Sequence, residues 1–92
     1  MTIKDVIVQC GYWFNKHGRM PRVQYTYEQD KLAGKVGRIT TIRVKGRGGM
    51  YSGVGVTWPD DNYETWFWQD DPAQVKDRRR RYMSDLIFIE PS

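Results

Sequence analysis

Ninety-two residues make one small domain, and a chain this short buries only about 60 to 65% of the surface it exposes when unfolded, so its core must be compact. Thirteen aromatic residues, four of them Trp, can supply that core, because each ring removes about 150 to 250 Å² from water. The net charge of +4 conceals a segregation: residues 1–50 carry ten Lys/Arg against three acids, residues 51–75 five acids and no base, and residues 76–92 five bases against three acids. Such a dipolar chain argues less strongly for nucleic acid than a uniformly basic one.

No stretch approaches the ~20 apolar residues that span a bilayer, and the first ten residues lack the pattern of a secretion signal. One cysteine, Cys10, cannot staple the fold, which suits a reducing, cytoplasmic setting. The Met start and the ending in a strand plus Pro91 and Ser92 lead to the expectation of a complete small gene product.

In chain order, residues 3–10 read as a strand, with Val6 and Val8 on one face and Ile3 and Ile7 on the other. Tyr12-Trp13-Phe14 follows, then Asn15-Lys16-His17-Gly18 as a turn and residues 22–27 as a strand with Val23, Tyr25 and Tyr27 on one face. Together these predict a hairpin attached to the first strand, an extension covering residues 1–33.

Gly34-Lys35-Val36-Gly37 opens the remainder, a core predicted over residues 34–90. Residues 36–44 alternate as a strand, Gly46-Arg47-Gly48-Gly49 turns it, and residues 52–58 return, with Gly53 and Gly55 marking a bend or close backbone approach. Pro59-Asp60-Asp61-Asn62 is a strong turn before a strand at 63–69. Asp71 suits an N-cap and Pro72 a first helical position, predicting a short helix over 72–83. Residues 86–90 close the chain as a strand, with Leu86, Phe88 and Glu90 opposite Ile87 and Ile89.

Three local patterns point to a family. Gly34-Lys35-Val36-Gly37-Arg38-Ile39-Thr40-Thr41-Ile42 resembles a KOW-type opening, Val54-Gly55-Val56-Thr57-Trp58-Pro59-Asp60 is similar to the V-x-W-x-D hairpin of Tudor-like and mind-bomb/HERC2-type domains, and Asp85-Leu86-Ile87-Phe88-Ile89 to their closing strand. The resemblance covers about two thirds of the chain and implies a mostly β fold: a small SH3-like five-stranded barrel with an N-terminal hairpin extension and one short helix before the last strand. Asp61-Asn62 stands where the mind-bomb/HERC2 pattern has glycine, and residues 11–33 have no counterpart, so the subfamily stays open.

Catalysis is not expected. His17 and Cys10 flank an aromatic run, and no third orienting group accompanies them. The same shortage of ligands excludes a His/Cys metal site and, with it, any expected cofactor. Asp60, Asn62, Glu64 and Asp71 match four positions of a calcium loop, but Thr65 replaces its glycine and Trp66-Phe67-Trp68 reads as strand. The Gly46-Gly49 turn joins two strands, whereas a phosphate loop opens a helix.

Aromatics and arginines are more informative. Tyr63, Thr65 and Phe67 fall on one face of their strand, and Glu64, Trp66 and Trp68 on the other; a small barrel buries one face, so the second is either covered by residues 11–33 or the helix, or open to a ligand. The run Arg78-Arg79-Arg80-Arg81 is either a solvated face beside the acidic hairpin or a phosphate-gripping edge. Two readings result. In the first, a noncatalytic module contacts nucleic acid, or a machine bound to it, through Lys35, Arg38, Arg43, Lys45, Arg47 and the run from Arg78 to Arg81, with Trp13, Tyr51, Trp66 and Trp68 as an aromatic surface. In the second, a protein adaptor or inhibitor, of the kind phages encode, docks through Asp60, Asp61, Glu64, Trp66 and Trp68. Neither involves a membrane or a small-molecule substrate.

Overall fold

The structure is a computed structural model, and it describes residues 2–44, 52–60, 62–70 and 80–89. It is mostly β, with one α-helix, α1 (Ile3–His17), followed by strands β1 (Arg22–Tyr25), β2 (Val36–Arg43), β3 (Gly53–Thr57), β4 (Glu64–Trp68) and β5 (Leu86–Ile89). The strands form one antiparallel sheet in the order β4-β3-β2-β1-β5. Among the described residues β4 and β5 do not pair along their edges; a single parallel bridge between Trp68 and Tyr82 ties β4 to the segment entering β5. No described helix is long and apolar enough to cross a membrane.

The first correction is at the N-terminus, where the expected strand over 3–10 is helical. Thr2 caps α1 through a capping box, its hydroxyl accepting from the Asp5 amide while the Asp5 carboxylate accepts from the Thr2 amide at 3.0 Å. The buried residues Val6, Cys10 and Trp13 are spaced four and three apart, a helical stripe. The period-two reading failed because Ile3 and Ile7 on one supposed face were as apolar as Val6 and Val8 on the other. The helix continues through the expected turn residues Asn15, Lys16 and His17 and stops at Gly18, whose φ of 74° lies in the left-handed region and whose amide caps the Phe14 carbonyl.

The second correction follows. With no first strand to pair with, β1 does not form an extension hairpin; it lies inside the sheet between β2 and β5. Val23 and Tyr25 do share the buried face, as expected. Thirdly, the predicted helix over 72–83 falls mostly on residues 72–79, outside the described set, and its described end is not α-helical: Tyr82 is in the bridge and Met83–Asp85 is a 3-10 turn leading directly into β5.

The core gathers Val23, Tyr25, Ile39, Val54, Val56, Trp58, Phe67, Met83 and Leu86 from sheet and turn, with Val6 and Cys10 contributed by α1. Tyr25 and Trp58 both pack edge-on against Phe67, with centroids 4.9 and 6.2 Å away. Trp58 could be buried because its indole N–H donates to the Thr65 hydroxyl at 2.8 Å.

Candidate nucleic-acid interface

The side of the sheet turned away from this core carries the basic and aromatic residues. Residues paired across neighbouring strands project to the same face, so the register identifies its members. One row runs Glu64, Thr57, Arg38, Arg22 and Ile89; another runs Trp68, Gly53 and Arg43, with Trp66 opposite Gly55 between them.

Arg38 and Arg43 are five residues apart, an odd spacing that in a regular strand places them on opposite faces. A register shift between Ile39 and Thr41 inserts one residue into β2 and reverses the parity, so Ile39 faces Val56 in the core, Ile42 faces Val54, and Arg43 joins Arg38 outside. The clean alternation expected over 36–44 therefore breaks at Thr40.

Trp66 and Trp68 are stacked, with centroids 5.5 Å apart and planes 18° from parallel, and both are half-buried. The Arg43 guanidinium sits 5.1 Å from the centre of the Trp66 ring. Beside the pair opens a groove of about 360 Å³ whose other wall includes Tyr27, Asp30, Arg80 and Arg81. No α1 residue lines it, so the helix does not cover the rings, although Tyr27 and Asp30 of the segment suspected as a lid do flank them.

The remaining predicted residues divide. Lys35 is paired with Asp60 at 3.0 Å and lies over Trp58. Arg81 is held bidentate by Asp30, at 2.8 and 3.2 Å, with the Tyr25 hydroxyl donating to the same carboxylate at 3.0 Å. Burial raises the Asp30 carboxyl, but its bonds from Arg81, the Leu32 amide and Tyr25 together hold its pKa below the ordinary carboxylate value. Arg80 is exposed at the groove. Trp13, expected on the aromatic surface, is instead buried and stacked on His17 with centroids 5.2 Å apart. Lys45, Arg47, Tyr51, Asp61, Arg78 and Arg79 lie outside the described residues.

Glu64 lies on the arginine face, where its carboxylate accepts from the Thr40 and Thr41 hydroxyls at 2.9 and 2.8 Å. Nucleic-acid binding would have the acidic hairpin face away from the basic strand, because carboxylates repel phosphate, and Glu64 instead shares the face of Arg38.

Sequence reasoning missed Arg19 and Arg22. Arg22 stands directly across from Arg38, and both line a cavity of about 250 Å³ with Arg19, His17 and Trp13. The Arg38 guanidinium donates to the Met20 carbonyl. Burial, and then the positive charges of Arg19 and Arg22, lower its pKa. The available signal was the spacing of Arg19 and Arg22 around Met20-Pro21, but only the β1–β2 register brings them to Arg38.

No protein-family model matches the sequence, and comparison with curated proteins and with solved structures gives no significant match.

Proposed function

We propose that this chain is a noncatalytic, SH3-like binding module that contacts a nucleic-acid strand through the outward face of its sheet. Bases stack against Trp66 and Trp68, and phosphates are met by Arg22, Arg38 and Arg43. The observation that carries the reading is the stacked Trp pair with the Arg43 guanidinium over it, on the face that also holds Arg38 and Arg22. Ring faces tolerate any base and contribute about 1 to 3 kcal/mol for each base stacked, while guanidinium groups supply salt-sensitive attraction to the backbone. The five strands, the bent β2–β3 pair and the helical turn before β5 support the SH3-like assignment.

The adaptor reading draws less support, because two carboxylates it needs are already engaged by the chain: Asp60 by Lys35, and Glu64 by Thr40 and Thr41. Single-stranded oligonucleotides titrated against the tryptophan emission test the proposal. Binding is expected at about 50 mM salt, with log K falling by about 0.7 per phosphate contacted as log salt rises. Trp66→Ala and Arg43→Ala are each expected to weaken it at least several-fold. No binding at low salt, or unchanged affinity in both folded variants, would overturn the reading.

A further inference from the structure

The cavity at the end of α1 gathers three arginines among apolar walls formed by Met20, Pro21 and Ile89. Arg19, Arg22 and Arg38 converge on it, His17 and Trp13 complete that side, and among the described residues no carboxylate forms an ion pair with any of the three arginines. Arg22 and Arg38 are direct cross-strand partners, an arrangement of like charges that destabilises a sheet unless something negative lies between them. Trp13 adds an independent observation: only 8% of the residue is exposed, and its indole N–H is buried without an acceptor. Unsatisfied buried donors are uncommon in folded proteins, and this one belongs to the wall of the same cavity.

The opposing influence is the C-terminal end of α1, whose aligned peptide dipoles amount to about half a negative charge. Its effect is small beside three guanidinium groups, and the Gly18 amide already satisfies the Phe14 carbonyl there.

We propose that this cavity receives the terminal phosphate of the nucleic-acid strand whose bases lie on Trp66 and Trp68, an inference that rests on the function proposed above. Charge favours a strand end over an internal linkage. A phosphate monoester carries about −1.5 to −2 at neutral pH with three free oxygens, against −1 for a diester, and so matches three arginines better. A cavity of about 250 Å³ has room for a phosphate group. Met20 and Pro21 wall the cavity where the chain passes from α1 into β1, so a strand crossing the sheet ends there. Arg38 is pre-positioned by its bond to the Met20 carbonyl, which lowers the entropic cost of gripping the ligand. Arg38 on β2 is in register with Glu64 on β4, two strands across and two residues before Trp66, so about 12 Å at ordinary strand spacing separates the two, a distance a short stretch of backbone can bridge.

The experiment compares one short oligonucleotide in three forms, 5′-phosphorylated, 3′-phosphorylated and hydroxyl-ended, by fluorescence anisotropy with the intact chain. One phosphorylated form is expected to bind about tenfold more tightly than the hydroxyl-ended strand, the effect of one added charge-assisted contact. Arg19→Ala should abolish that preference while leaving hydroxyl-ended binding within about twofold to fivefold of the parent, with the thermal melt showing the variant folded. Equal binding of all three forms overturns the terminal-phosphate site and leaves the proposed function standing. Failure of every strand to bind overturns both. Binding of inorganic phosphate that depends on Arg19, with no strand bound, overturns the strand as ligand and assigns the pocket to a phosphate from another source.

Discussion

The indole of Trp68 packs closely against Gly53, its directly opposed partner across β3 and β4. A β-carbon on Gly53 would stand 2.7 and 3.3 Å from two carbons of that ring and 2.7 Å from the Phe67 carbonyl oxygen. The glycine is thus the seat on which the outer ring of the Trp66–Trp68 stack rests.

Gly53→Ala must therefore displace the ring or the strand. Overfilling of this kind costs about 1 to 3 kcal/mol, and each kcal/mol lowers Tm by about 4 to 8 °C in a domain of this size. We expect a lower Tm together with a changed near-ultraviolet circular dichroism from the Trp pair. An unaltered melt and spectrum would show that Trp68 does not depend on this seat.

The Asp30 carboxylate predicts an acid dependence. Its folded pKa is held below the unfolded value of about 3.9, so its contribution to stability is complete above that value and is lost as pH falls through the lower folded one. Asp30→Asn should cost about 1 to 3 kcal/mol near neutrality, because Arg81 and the Tyr25 hydroxyl lose their ionised acceptor, and the difference should shrink toward pH 2. Thermal melts from pH 2 to 7 decide this; a constant gap between the two curves would contradict it.

Cys10 is buried, and desolvation pushes its thiol pKa up to about 11. At pH 8 it is protonated and shielded, so alkylation by iodoacetamide should proceed only as fast as the protein opens, and much faster in denaturant. Rapid labelling of the native chain would mean that α1 does not seal this part of the core.

Thr2→Ala removes the side-chain half of the capping box and should cost about 0.5 to 2 kcal/mol, whereas Thr2→Asp, an equally good N-cap, should retain most of the stability. The comparison of the two melts is the measurement. An aspartate variant as unstable as the alanine variant would argue that the cap does not hold α1.

Much of the sheet was legible because local chemistry and burial agreed. Strands β2 to β5 fall within a residue or two of the segments their alternation predicted. The turn after Trp58 is made by Pro59 and Asp60, with Asn62 at a φ of 54°. Phe67 faces the core while Trp66 and Trp68 face outward, as period two in β4 demands. Residues 3–10 were less legible because both faces of the supposed strand were apolar. The cap at Thr2 and the spacing of Val6, Cys10 and Trp13 already carried the helical signal.

By itself the sequence determined a small, mostly β chain with an aromatic core and a Trp-bearing strand, because strand periodicity and turn residues act over a few neighbouring positions. Tertiary structure alone decided which charges meet. The bulge at Thr40 brought Arg43 to the face of Arg38, the β1–β2 register set Arg22 opposite Arg38, and Asp30 and Lys35 drew their partners from 51 and 25 positions away. Pairings of that kind depend on strand order and on one inserted residue, quantities that no local pattern encodes.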